Sequence, residues 1–281
     1  MVYDVHAHPF FIREACKNDE EIAQRRHEFG LYKVAIQDIE LFKKQIKAAE
    51  IDKVVLLPLD MQTITGATAM TNDRVAEIVG LEPDIFIGFA SIDPHLPNAA
   101  EMLEQDIRKY KLKGIKLNPT SQNFKPNDKG VMYGIYQKAQ ELNVPIMFHS
   151  GMTWEPWGLT ANSHPLLLEE VVQDFPRLRI ALSHFSWPWV AEACIMAVKY
   201  ENVFVDTALL YFDSPQEFFK HVFNGQISHT WIERSIPSKI LFGSNYPRIE
   251  QKRMRTALES IGLSKPILNK IYHENPVRFL G

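Results

Sequence analysis

Cysteine is almost missing: Cys16 and Cys194 are the only two thiols in 281 residues. They supply neither a disulfide framework nor a CxxC metal knuckle, so a metal site would need other ligands, and a reducing compartment suits the chain. Long apolar runs are missing too. No stretch approaches the ~18 residues of a membrane span, and the N-terminus turns polar at Asp4 without the apolar core of a signal peptide. No membrane partner and a cytoplasmic location are therefore expected. Charge of one sign is also lacking: a formal net charge of −3 leaves no basic stripe to neutralise a phosphate backbone, which removes the main source of nucleic-acid affinity. No repeat or low-complexity tract interrupts the chain.

What remains is globular. With 46% hydrophobic, 11% aromatic and 23% charged residues, the chain can bury a large core. Short β-branched runs recur along it, each followed by an amphipathic stretch, the rhythm of a parallel sheet with crossover helices. Eight runs stand out: Val2 to His6, Lys53 to Leu57, Ile85 to Ser91, Gly114 to Leu117, Pro145 to His149, Arg179 to His184, Val203 to Asp206 and Lys239 to Gly243. Helical periodicity falls between them at Ile39 to Ala49, Ala99 to Tyr110, Gly130 to Leu142, Pro165 to Asp174 and Trp189 to Tyr200. The pattern predicts an α/β fold, a (β/α)8 TIM barrel in a single domain over residues 1–281, since such barrels take roughly 250 residues. An insertion at about residues 9–34, too long for a simple βα connection, is expected over the barrel mouth, bringing Arg13, or Arg25 and Arg26, toward a substrate.

Barrel strands are buried on both faces and should read apolar, yet several of these runs finish on polar residues. In Asp4-Val5-His6-Ala7-His8, period-two geometry puts His6 and His8 on one side of the strand, where they can chelate one ion. Alone, the pair reads equally well as two hydrogen-bonded strand histidines. The runs ending at His149 and His184 add two imidazoles. The carboxyl ends of all barrel strands face one mouth, so four histidines from three strands converge there without being close in sequence. The eighth run continues as Phe242-Gly243-Ser244-Asn245-Tyr246-Pro247 and adds a polar side chain at the same height.

Taken together, Asp-x-His-x-His on the first strand, His-Ser-Gly after the fifth, Ser-His-Phe on the sixth and Phe-Gly-Ser-x-Tyr-Pro on the eighth resemble the amidohydrolase superfamily. The set is similar in particular to the branch holding aminocarboxymuconate-semialdehyde decarboxylase and resorcylate-type decarboxylases. The resemblance extends to a closing helix at Ile271 to Leu280. It implies that His6, His8 and His149 are metal ligands, that His184 is a further ligand or the catalytic acid/base, and that Asn245 lies at the metal with a catalytic part. The chain departs from the family at Asn245, where aspartate is usual. Asparagine is a neutral oxygen donor that cannot take a proton from water. Three readings follow: a variant that uses His184 as its base, an inactivating substitution, or a barrel that binds without turnover.

Lys116 sits on the strand where binuclear relatives carry a carbamylated lysine. It equally suits binding of a substrate carboxylate or an ion pair with Asp206, and one metal ion is expected. Zn2+ is expected first for a histidine-rich site, while Mn2+ or Fe2+ fits similar ligands. Trp154, Tyr246 and Arg248 join Lys116 and Arg13 as expected substrate contacts, an aromatic mouth with cations that suits a planar carboxylated small molecule. The family implies hydrolysis of an amide, ester or lactone with His184 moving the proton, or non-oxidative decarboxylation of a small planar acid. Both use the same ligands. A homodimer is expected on the frequency of symmetric pairs alone.

Overall fold

The computed structural model describes residues 1–16, 18–28, 36–68 and 70–281, with the side chains of residues 11, 24–28 and 67 outside that description. All eight expected runs form strands: β1 (Tyr3–Ala7), β2 (Lys53–Leu56), β3 (Phe86–Gly88), β4 (Ile115–Leu117), β5 (Ile146–Phe148), β6 (Ile180–Leu182), β7 (Val203–Asp206) and β8 (Ile240–Leu241). They pair in parallel as β1-β2-β3 and as β4-β5-β6-β7-β8. Two seams join these sheets. Ala90 bridges Ile115 next to β3 and β4, where Lys116 N–H donates to the Ala90 carbonyl at 2.7 Å. Ala7 bridges Tyr246 next to β1 and β8, where Val5 N–H donates to Phe242 at 2.9 Å and His8 N–H to Tyr246 at 2.8 Å. The result is a single-domain (β/α)8 barrel, and no helix among the described residues is long and apolar enough to cross a membrane.

Two apolar layers hold it. The larger lies between strands and helices. Ala99–Tyr110 shows how its helices contribute: Ala99, Leu103 and Ile107 recur every four residues along its buried face. Some helix starts carry side-chain caps, with Asp38 accepting from Leu41 N–H at 2.7 Å and Asp128 from Gly130 N–H at 3.0 Å. The smaller layer fills the barrel interior with Val5, Val55, Phe89, Met147, Phe204 and Leu241 among others, and Phe279 from the helix Asn275–Leu280 joins it. That phenyl ring stands 5.5 Å from Phe204 and 6.3 Å from Phe89, stoppering the floor of the barrel.

Strand β1 departs from strict alternation. Its register with β2 slips between Asp4 and Ala7, so that Val5 packs in the interior cluster while the next residue, His6, also faces inward at the mouth. A bulge is what lets neighbouring residues share a face. Gly243 then becomes obligatory, because a Cβ there would stand 2.8 Å from the His6 Cβ.

The segment expected over the mouth runs through short turns at Pro9–Phe11 and Arg13–Ala15 into a helix at Asp19–Glu28. Phe10 reaches the cavity. The side chains of Arg25 and Arg26, and residue 17 with residues 29–35, lie outside the described residues.

Candidate metal centre and active site

Above the apolar interior, the strand ends surround one cavity of about 610 Å3 that His6, His8, His149, His184, Lys116 and Asn245 all line. The rings are close-set: His6 to His8 is 5.1 Å between centroids, His6 to His184 5.0 Å, and His149 to His184 5.0 Å. The strand-end convergence read from the sequence is therefore present in full.

Each imidazole is held by one nitrogen. His6 Nδ1 bonds Asp206 Oδ2 at 2.8 Å, His8 Nδ1 the Leu57 carbonyl at 3.1 Å, and His184 Nδ1 the Ala208 carbonyl at 2.9 Å. A carbonyl or carboxylate partner requires Nδ1 to carry the proton, which leaves Nε2 as a lone pair in these three rings. His149 is reversed: its Nε2 meets the Met152 carbonyl at 3.0 Å, leaving Nδ1 free. Fully buried His6 Nε2 has no hydrogen-bond partner among the described residues. A buried lone pair with nothing to accept from is costly, and a cation would satisfy it.

Electrostatics agree. Burial, then the charge of Lys116, holds His8 and His149 down to about 4, and burial pushes His6 and His184 well below the ordinary imidazole range. Neutral imidazole is the form that binds metal. Ligand atoms of His6, His184 and Asp206 lie within 4.8 Å of one another. Asp206 already accepts three hydrogen bonds: Oδ2 takes the His6 proton while Oδ1 accepts from the N–H groups of His184 at 2.8 Å and Ala208 at 2.9 Å. It fixes the orientation of the His6 ring. The residues fit a divalent ion.

His184 and Asn245 both adopt left-handed backbone conformations, at φ 61° each. That turn swings each side chain off its strand line into the cavity and is strained for histidine, though mild for asparagine. Asn245 N–H donates to the His6 carbonyl at 2.9 Å and its Nδ2 to the Leu209 carbonyl at 2.8 Å, and the residue lines the cavity beside His8.

Lys116 is 3% exposed and donates to Ser183 Oγ at 3.3 Å. The ion pair with Asp206 offered by the sequence does not form: that carboxylate faces His6, and no carboxylate among the described residues lies within 4.0 Å of the ammonium. Burial lowers Lys116 to about 8 against the more distant pull of Asp206.

Trp154 and Arg248 line the same cavity. Two other expected contacts do not. Arg13 points outward, its side chain 62% exposed and 3.9 Å from Asp19, because the turn carrying it leaves the mouth after Phe10. Tyr246 is buried under the helix Ile39–Ala48, its hydroxyl donating to Gln45 at 2.9 Å and its ring 5.3 Å from Phe42; next to Asn245, it takes the opposite face. Asp60 and Asp93 are buried in a hydrogen-bonded network with Thr63, Thr68 and Ser91. Tyr211, Phe10 and Met61 complete the apolar wall. Phe10 carried a sequence signal, lying two residues beyond His8.

The family model described as amidohydrolase matches residues 3–281, and the chain belongs to that family. It is an enzyme of the amidohydrolase superfamily, a family that is metal-dependent. Solved structures share the fold over the whole length. An uncharacterised TIM-barrel protein from Bordetella bronchiseptica is 20% identical with a TM-score of 0.77, covering 99% of this chain and 98% of that one. A 5-carboxyvanillate decarboxylase from Sphingomonas paucimobilis is 15% identical with a TM-score of 0.68, covering 99% and 98%. A dihydroxybenzoic acid decarboxylase from Polaromonas sp. JS666, with bound manganese and the inhibitor 2-nitroresorcinol, is 17% identical with a TM-score of 0.66, covering 99% and 96%.

Proposed function

We propose that this enzyme is a carboxy-lyase that removes CO2, without oxidation, from a small planar carboxylic acid. One divalent ion, Zn2+ before Mn2+, would be held by His6, His8 and His149 with Asn245 and His184 beside them. The observation that carries this reading is Lys116, a buried ammonium without a carboxylate partner in ion-pairing distance, sharing a cavity with neutral imidazoles and an asparagine that cannot act as a base. An anionic substrate supplies the missing counter-charge. Decarboxylation also needs an acid rather than a base, so replacing aspartate by Asn245 weakens it less than hydrolysis.

When bound, the metal supplies a Lewis acid that polarises the oxygens of the substrate. Lys116 orients the carboxylate. As the C–C bond breaks, its electron pair stays on the ring carbon and takes a proton from the ammonium, whose lowered pKa, about 8, makes it a readier donor than a free lysine while leaving it charged at neutral pH. Apolar walls from Phe10, Met61 and Tyr211 exclude water from the reacting face. Two of the structures sharing the fold are named as decarboxylases of aromatic acids, one with manganese.

Hydrolysis of an ester or lactone is the second reading, favoured by His184, whose Nδ1 is tied to Ala208 and whose Nε2 is a free base in the cavity. The test incubates the metal-loaded protein with a panel of hydroxybenzoates in D2O. CO2 release with deuterium at the vacated carbon, lost in Lys116→Met, is expected. Hydrolysis of aryl lactones without CO2 release from any acid would replace the lyase reading with the hydrolytic one.

A further inference from the structure

Arg248 stands at the rim of the cavity, opposite in character to the buried Lys116. Its backbone N–H donates to the Asn245 carbonyl at 2.9 Å, which ties it to the turn that carries the centre. Its guanidinium lies 4.6 Å over the Trp154 ring. That stack fixes the plane of the cation and occupies its face, yet leaves the N–H edge without a hydrogen-bond partner among the described residues. No carboxylate among the described residues lies within 4.0 Å of it. Its neighbouring acid, Glu155, is turned to hydroxyl groups: one oxygen accepts from Ser121 at 3.1 Å and the other from Thr153. Two other arginines are ion-paired. Arg255 meets Glu50 and Glu259 at 2.8 Å each, and Arg108 meets Glu104 at 2.8 Å.

The same rim exposes two large aromatic surfaces, Trp154 at 53% and Trp157 at 52%, both lining the cavity. Indole surface of that size left in water is uncommon and marks a contact site for a flat apolar body. A planar ring bearing an anion at its outer edge would cover the indoles and meet the free edge of the guanidinium. A bidentate carboxylate is the partner which that edge fits best.

We infer that the substrate is a planar diacid: one carboxyl group goes to the floor at Lys116, while a second, retained through the reaction, is received at the mouth by Arg248 on its Trp154 platform. Arg248 is then a specificity residue, selecting the diacid over the mono-acid. The inner half of this picture rests on the lyase reading; the outer half rests on Arg248 alone.

Binding of benzoate, isophthalate and terephthalate to the metal-loaded protein by calorimetry at low salt tests it. At least one diacid should bind tenfold or more tighter than benzoate, about 1.4 kcal/mol. In Arg248→Gln that ratio should fall to about one, and Arg248→Lys should restore part of it. A wild-type ratio near one, or a ratio that survives Arg248→Gln, overturns the inference. CO2 release is followed separately: if no acid is decarboxylated while the ratio responds to Arg248, the lyase reading fails and the outer anion site stands. If CO2 is released while the ratio stays near one, the lyase reading stands and the outer anion site fails.

Discussion

Replacing Asp206 by asparagine changes almost nothing in volume and everything in proton placement at His6. The carboxylate takes the His6 Nδ1 proton at 2.8 Å through one oxygen and two backbone N–H groups through the other. An asparagine keeps its single carbonyl oxygen toward those two backbone donors, because leaving two buried N–H groups unpaired costs about 1–3 kcal/mol each. Its amide NH2 must then face His6 Nδ1, donor against donor. The imidazole resolves the conflict by moving its proton to Nε2, the nitrogen that is buried without a partner and faces the cavity. A protonated Nε2 cannot bind a cation. The expected outcome is a loss of about 10–100-fold in metal affinity, or roughly 1.4–2.8 kcal/mol, the range for carboxylates that orient a ligand histidine. Competition against a chromogenic chelator at pH 7 measures it, with circular dichroism confirming that the fold persists. If Asp206→Asn retains its metal as tightly as the parent, either the proton has not moved or His6 is not a ligand through Nε2.

Other expectations follow from the same geometry. Metal analysis of the purified protein should find one divalent ion per chain, and His6→Ala with His8→Ala should remove both the ion and the activity; full activity in that double variant would end the metalloenzyme reading. Asn245→Asp places an anion beside His8 and should slow metal release to a chelator, while any rise in turnover would show that a base had been missing. Gly243→Ala drives a methyl to 2.8 Å from the His6 Cβ and should cost about 1–3 kcal/mol in urea unfolding, with a weaker metal site. The pH dependence of the metal-free protein has a definite sign. His8 and His149 fall from 6.5 to about 4 on folding, so their contribution is full above pH 6.5 and is lost as pH drops toward 4. Asp4, raised from 3.8 to about 7, works the other way, favouring the fold at low pH and losing that contribution as pH rises through 7. With His6 and His184 also lowered, the imidazoles prevail, and the melting temperature should fall between pH 6.5 and 4; a flat profile would contradict the burial described for them.

Much of this was legible because barrel strands report themselves twice, by β-branched runs buried on both faces and by the polar residue each leaves at the mouth. His6, His8, His149, His184 and Lys116 were found in that way. What escaped depended on pairings across the ring. Asp206 could be seen as a buried acid, but its choice of His6 over Lys116 is a contact between residues 200 positions apart. The bulge in β1 is also invisible locally, since it follows from the register with β2. Tyr246 and Arg13 failed for a simpler reason: in a turn, adjacent side chains point different ways, and proximity in sequence to Asn245 or His8 says little about facing the cavity. Arg248, two residues past Tyr246, returns to the cavity side for the same reason.

The stopper at Phe279 has a consequence for local unfolding. Val5, near the start of the chain, and Phe279, in its last helix, belong to one interior cluster, and Arg179 locks that helix by donating to the Phe279 carbonyl at 2.8 Å. Detaching that helix alone would therefore open the floor of the ring to water while its eight strands stayed paired, because the residue that closes the floor belongs to none of them. Phe279→Ala, expected to cost about 3–5 kcal/mol, would leave that floor open in the folded protein.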